Sequence, residues 1–288
     1  MIAPLRKNDE LLTDIREAGS ISNELHIWWL GQSGFLAQWN GTHVLFDPYL
    51  SDSLTKKYAS TDKPHVRMTE LAVDPAQLDF IDVVTSSHNH TDHLDGETLS
   101  PLLKSNKGIQ FLIPEANRDF VAERLGTARE FPAGLNAGET VELAGIRFSG
   151  ITAAHNDVDR DEAGRCKYMG FVASIGPWTV YHSGDTLMHE GLEASLEPHN
   201  IDIAILPING SKPERRVAGN LDGCEAAQLA KTIGAQMVIP CHYDMFEFNT
   251  ETTELFEDSC GSLGQSYRVL QCGERQDSSE IGTPRREA

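Results

Sequence analysis

Seven consecutive residues carry most of the reactive chemistry in this 288-residue chain: Ser87-His88-Asn89-His90-Thr91-Asp92-His93, directly after the apolar run FIDVVTS. On an extended segment His88 and His90 point to the same side, because side chains alternate with period two. Asp92 and His93 follow in a turn or first helical segment, from which the chain can swing both back towards that point. Neutral imidazole and carboxylate are donors that Zn²⁺, Mn²⁺ and Fe²⁺ accept. Four such groups at the carboxyl end of a strand suit two metal ions a few ångströms apart.

Two ions need more donors than this motif holds, and three later strand-like runs each end in one. His155 closes GIRFSGITAAH, Asp185 lies where WTVYHSGDT enters a Ser-Gly turn, and His242 follows AQMVIPC. His26, His43, His65, His189 and His199 sit inside strand-like runs or polar loops and are not expected to be ligands. His182, three residues before Asp185, reads as a buried, hydrogen-bonded structural histidine.

The elements that must position these groups are mostly short strands. LHIWWL (25–30), GFLAQW (34–39) and THVLFD (42–47) are separated by Gly31-Gln32-Ser33-Gly34 and by Asn40-Gly41, a hairpin signal. Further strands are expected in FIDVVTSS (80–87), IQFLIP (109–114), TVELAGIRFSGI (140–151), YMGFVASI (168–175), WTVYHS (178–183), IDIAILPI (201–208), QMVIPC (236–241) and YRVLQC (267–272). Helical patterns fall near 95–104, 115–125, 187–196, 222–233 and 250–260, after an amphipathic N-terminal stretch built on Leu11, Leu12, Ile15 and Ala18. Such a mixture predicts two sheets covered by helices on their outer faces. A single domain over residues 1–273 is expected, with 1–24 as an N-terminal extension and 274–288 as a polar, frayed tail.

Two divalent ions can share one water and lower its pKa towards neutrality, giving hydroxide without a side-chain base. Asp47, in FDP, suits either a hydrogen-bond partner for the far nitrogen of a ligating imidazole or a turn before Pro48. Gln32 and Ser33 read as a tight turn that could also line a pocket floor. Lys212, Arg215 and Arg216, just after Asn209-Gly210, form a compact positive group. With Asn209 they are either a substrate-binding site for a phosphate or carboxylate or a solvated basic loop. The tryptophans read as core. The sequence contains no G-x-S-x-G elbow, phosphate-binding G-x-x-x-x-G-K-[ST] loop or dinucleotide fingerprint.

Charge narrows the partners. Lys and Arg number 24 against 43 Asp and Glu, a formal charge of −19, which disfavours nucleic acid and an anionic membrane surface. No apolar run approaches the roughly 20 residues of a membrane span, and the N-terminus lacks the apolar stretch of a secretory signal. Five scattered cysteines with no C-x-x-C pair predict free thiols in a reducing cytoplasm. A small-molecule substrate, anionic or not, stays compatible with this balance, as does a homo-oligomer.

The sequence resembles the metallo-β-lactamase superfamily. His88-Asn89-His90-Thr91-Asp92-His93 matches its H-x-H-x-D-H motif, and the resemblance runs from the first hairpin to about residue 272. WWLGQSGF (28–35), FDPYLS (46–51), VYHSGDT (180–186), IDIAILPING (201–210) and VIPCHYDMF (238–246) are similar to the branch containing L-ascorbate-6-phosphate lactonase. This resemblance implies an α+β fold, a four-layer αββα sandwich, with a binuclear site at the sheet edges. His88, His90 and His155 would hold one metal, Asp92, His93 and His242 the other, and Asp185 would bridge them, with Asp92 and Asp185 as catalytic residues. The chain departs from that branch in being shorter and in carrying INGSKPERRVAGNLDG where an Asn-Pro-Arg-Gly type of segment is expected.

Those features predict a hydrolase with two divalent ions (zinc or manganese, with iron also compatible) that turns a metal-bridging hydroxide on a small anionic ester or lactone. The alternatives are a phosphodiesterase of the same fold, acting on a cyclic nucleotide or another small phosphodiester, and a non-catalytic metal-binding protein.

Overall fold

A computed structural model describes residues 1–286. One sheet is built from β1 (Leu25–Gly31), β2 (Gly34–Trp39), β3 (Thr42–Phe46), β4 (Val83–Thr85), β5 (Gln110–Pro114), β6 (Ala133–Leu135) and, at its edge against β1, the strand Arg275–Asp277. The second holds β7 (Thr140–Leu143), β8 (Ile146–Thr152), β9 (Met169–Ile175), β10 (Trp178–His182), β11 (Ile203–Pro207) and β12 (Met237–Cys241), so Arg275–Asp277 is β13. The helices are α1 (Asp9–Ala18), α2 (Ser53–Tyr58), α3 (Gly96–Ser105), α4 (Arg118–Leu125), α5 (Leu192–Leu196), α6 (Gly223–Thr232) and α7 (Glu254–Leu263). Both sheets are mixed, and with the helices they give the expected α+β sandwich. The core holds fully buried rings, among them Trp28, Phe35, Phe46, Phe111, Phe148 and Phe171. Among the described residues no helix is long and apolar enough to cross a membrane.

Strand direction places the functional loops. In the first sheet β1 and β2, then β2 and β3, pair antiparallel, whereas β3, β4, β5 and β6 pair parallel. Strands β1, β3 and β4 therefore run the same way and end at one edge, where Gln32, Asp47 and the His88 loop follow them. In the second sheet β8–β9 and β9–β10 are antiparallel and β10–β11–β12 parallel. Strands β8, β10 and β12 thus also share a direction, and His155, Asp185 and His242 follow their carboxyl ends.

Several boundaries differ from expectation for identifiable reasons. The run 140–151 is a hairpin, because Ala144 and Gly145 both take positive φ (49° and 76°) and turn β7 into β8. Asn40 and Gly41 do the same between β2 and β3. The run 267–272 forms no strand, only a bridge of Tyr267 to Val238. Val238 gives its N–H outward to Ser266 O, 2.9–3.0 Å being a normal length here at 3.0 Å, but Pro240, facing the same side two residues on, has no N–H to continue the ladder. Helix formation within 187–196 is confined to α5.

The expected frayed tail is instead part of the sheet. In β13, Gln276 lies opposite Ile27 and is buried, and Ser278 Oγ accepts the Leu25 N–H at 2.9 Å. Arg275 reaches Asp14 of α1 at 3.1 Å, and that same carboxylate accepts the Trp28 indole N–H at 2.7 Å. The C-terminal segment therefore covers the β1 edge and pins the N-terminal helix. Removal of residues 274–288 is expected to lower stability by about 1–3 kcal/mol and to promote edge-to-edge association. Urea unfolding followed by circular dichroism, with light scattering, checks this; an unchanged midpoint would refute it.

Candidate metal centre

The motif after β4 is a bent loop, not the extended segment expected. His93 N–H and Leu94 N–H both donate to His90 O, at 3.1 and 2.8 Å, and this turn folds Asp92 and His93 back beside His88. Asp95 then caps α3, its carboxylate accepting from Glu97 and Thr98 N–H. The bend brings the rings of His88 and His90 to 4.7 Å and those of His88 and His93 to 4.1 Å between centroids.

Around this loop donor atoms gather in two groups, each within 4.8 Å and each able to hold a metal ion: His88, His90, His155 and Asp185, and Asp92, His93 and His242; a third such group, Glu24, His26 and Asp277, lies at the β1–β13 pair. Asp185 faces both groups. Its Oδ1 lies 3.2 Å from His93 Nε2 and 3.1 Å from His242 Nε2, while its Oδ2 lies 3.5 Å from His155 Nε2. Asp92 Oδ2 stands 3.7 Å from His93 Nε2 and 3.6 Å from His242 Nε2. Asp185 reaches this point because Gly184 takes φ 59° and has no Cβ, which would sit 2.6 Å from Ser87.

A ring of fixed partners holds these groups. Asp47, fully buried, lies 2.8 Å from His93 Nδ1 and accepts from Ser87 Oγ and, at 2.8 Å, from Thr85 Oγ1. Ser87 Oγ is also 3.0 Å from His88 Nδ1, and His155 Nδ1 is 2.9 Å from Gly219 O. The Gln32 amide donates to Asp92 Oδ2 at 2.9 Å, and its backbone carbonyl accepts from His242 N–H and from the Trp29 indole. Gln32, Asp47 and His242 all have positive φ, backbone strain of the kind that collects at functional sites.

Burial and neighbouring imidazoles hold His88 well below the usual histidine range, and desolvation lowers His90 and His155 too. Burial opposes ionisation of Asp185, but His242 and His93 outweigh it and hold the carboxyl well below its ordinary value. Asp92 is lowered against burial by the same two rings. His93 shows the reverse: burial disfavours its charge, yet Asp185, Asp92 and Asp47 together raise it well above the ordinary range. His88 Nε2, His93 Nε2 and Asp185 Oδ1 are buried with no hydrogen-bond partner. Three orphaned donors converging among ionised carboxylates fit divalent cations.

Comparison with known proteins places the chain in a family. The beta-lactamase superfamily domain matches residues 26–242, from β1 to the last candidate ligand. The chain belongs to the metallo-β-lactamase superfamily. Within it the chain belongs to the UPF0173 metal-dependent hydrolase family. It is 32% identical to a member from Methanoregula boonei, over 77% of this chain and 84% of the relative. It is 28% identical to another from Methanosarcina mazei, over 81% and 89%. Igni18, a metallo hydrolase from Ignicoccus hospitalis, shares the fold with a TM-score of 0.64 and 21% identity, over 88% of this chain and 98% of that one.

As in other pockets at strand carboxyl ends, the superfamily member's centre floors a cavity, here of about 300 Å³. The cations expected to receive an anion are not among its walls. Lys212 and Arg215 pair with Glu251, Arg215 also donates to Asn209 O and Thr250 O, and Arg216 pairs with Asp62 at 2.9 Å. Lys212 and Arg215 share the single carboxylate of Glu251 and Arg216 is met by Asp62, so these cations are engaged outside the cavity. Asn209 is buried behind the cavity, donating to Asn249 at 3.0 Å and accepting from Asn220 at 3.1 Å, two residues that do line it. The cavity's own cations are Lys57 and Arg124, which the sequence reading missed. His65 belongs to neither donor group, yet it lines the cavity. His182 is buried among core rings, stacked on Phe46 and bonded to Ser33 O at 2.8 Å.

Asp47→Asn keeps the shape and tolerates the left-handed backbone, but removes the charge that orients His93. Metal affinity is expected to fall about 10–100-fold, measured by competition with a chromophoric chelator; wild-type affinity would contradict the role given to Asp47.

Proposed function

We propose that this protein is a metal-dependent hydrolase that holds two divalent cations and cleaves a small ester or lactone. His88, His90 and His155 would hold one ion, Asp92, His93 and His242 the other, and Asp185 would contact both. One observation carries this reading: the two oxygens of the Asp185 carboxylate are divided between the two donor groups. The orphaned Nε2 atoms of His88 and His93 support it, as do the relatives' names. Zinc and manganese suit such imidazole and carboxylate donors, as does iron.

Two ions so held supply Lewis acidity and an acidified water at the cavity floor. The chain's own residues do the positioning. Asp47 takes the Nδ1 proton of His93 and Gly219 O that of His155, so each ring presents Nε2 to the centre. Gln32 fixes Asp92, donating its amide hydrogen to a carboxylate oxygen. Asn220 and Asn249, held in register by buried Asn209, offer amide groups to the substrate's polar atoms. An acidic substituent would meet Lys57 and Arg124, not the 212–216 loop. Resemblance of the 28–35, 180–186 and 238–246 segments to the L-ascorbate-6-phosphate lactonase branch supports ester or lactone cleavage over phosphodiester cleavage. The −19 charge fits a small substrate and a cytoplasmic setting.

Protein purified without chelator is expected to carry close to two equivalents of divalent metal and to hydrolyse members of a lactone and ester panel. Asp185→Asn and His90→Ala should each cost more than the roughly 10–100-fold that loss of an outer partner costs, with metal content falling in step. Metal-free protein, or variants as active as wild type, would sink the reading; activity confined to phosphodiesters would replace the substrate class.

A further inference from the structure

The cavity wall is of two kinds: polar groups, Asn89, Arg124, Asn220 and Asn249, and an apolar side of Leu54, Tyr58, His65, Phe246 and Phe248. We propose that this side is a seat for a flat apolar ring, so that the substrate is an ester or lactone bearing an aryl or arylalkyl group. The proposal rests on the hydrolase reading above and adds the substrate class.

The seat is not a piece of the general core. Tyr49, Leu54, Met245 and Phe246 form a small apolar cluster separate from the main one, with half-buried Tyr58 and Phe248 packed on it. An apolar group left partly open beside a cavity loses free energy to water, which a ligand ring can recover. His65 sits at the middle of the group. Its ring is 4.2 Å from Tyr58 and nearly parallel, 4.4 Å from Phe248 at 62°, and 5.3 Å from Phe246 at 73°. These are the offset and edge-to-face arrangements that aromatic rings favour. Burial lowers the pKa of His65, so the ring adds no charge at neutral pH, and its Nδ1–H donates to Lys63 O at 3.1 Å.

Backbone pairing builds this side in advance. Met68 N–H donates to Met245 O at 2.8 Å and Glu247 N–H to Val66 O at 3.1 Å, while Thr55 Oγ1 holds His65 O at 2.7 Å. Helix α2, the segment around His65 and the loop after β12 are therefore fixed to one another before any ligand arrives. Lys57 lies over Tyr58, 5.1 Å from its ring centre, and Lys63 over Phe248 at 6.0 Å, so a guest ring would meet the group at its cavity-facing edges. A cavity of about 300 Å³ is at the small end for ligands and admits one ring beside the reacting group.

Hydroxamates test the seat without knowledge of the natural substrate, because they chelate divalent metals directly. On metal-loaded protein, benzohydroxamate is expected to bind about tenfold more tightly than acetohydroxamate by calorimetry. Phe248→Ala should bring the two affinities together with metal content unchanged, and Phe248→Leu, which keeps apolar bulk, should give an intermediate ratio. Equal affinities in the wild type, or a ratio that survives both variants, would overturn the ring seat while leaving the hydrolase reading intact. Protein that takes up no metal and binds neither hydroxamate would overturn both.

Discussion

Asp47, Asp92 and Asp185 place three carboxylates, largely or wholly withdrawn from water, among five imidazoles at the junction of two sheets. Such charge is costly to bury unless opposite charge lies within contact distance. The surrounding architecture is organised around meeting that demand. Asp47 is satisfied by Ser87, Thr85 and His93, and Asp92 by Gln32, but Asp185 Oδ1 is left with imidazole neighbours and no hydrogen bond. Divalent cations would meet this charge, which couples the integrity of the site to metal binding.

Parallel strand direction makes the junction possible. Six strands from two sheets deliver Gln32, Asp47, the His88 loop, His155, Asp185 and His242 to a common edge. Each arrives at a strand end, where the backbone is free to take the unusual conformations seen at Gln32, Asp47 and His242. That arrangement was largely legible in the sequence, because every candidate ligand followed an apolar run, and strand ends are where polar side chains can turn inward. The alternation argument for His88 and His90 was wrong in its mechanism. Residues 87–90 bend instead of extending, and the turn closed on His90 O brings His93 back beside His88.

What stayed hidden has a shared cause: it depends on contacts between residues far apart in the chain. Gln32 read as a turn residue that could also line a pocket floor, and the approach of Asp92, 60 positions away, is what makes it part of the centre. The sequence ERQDSSE looked like a polar tail because alternation over three residues is too short to register. Its Gln276 is buried only because β1 lies beside it. The aromatic side of the cavity was equally silent, since Tyr58 at the end of α2, His65 and Phe248 come from separate segments with no common period.

The basic loop shows how a local charge pattern can mislead. Lys212, Arg215 and Arg216 are adjacent in sequence and lie near a functional strand, as an anion site would. Exposed ion pairs contribute little individually, about 0–1 kcal/mol, and Arg216–Asp62 is of that kind. Arg215 is different: its side chain is nearly buried, with Glu251, Asn209 O and Thr250 O sharing its donors. These contacts tie the segment holding Asp62 and Lys63, the 211–219 loop and the strand-end loop at 249–251 into one frame, with Lys63 adding a bond to Arg216 O. The frame sets Val217 and Ala218 over the cavity. The positive charge of this loop is used to hold the walls, which leaves Lys57 and Arg124 as the cations that face the cavity.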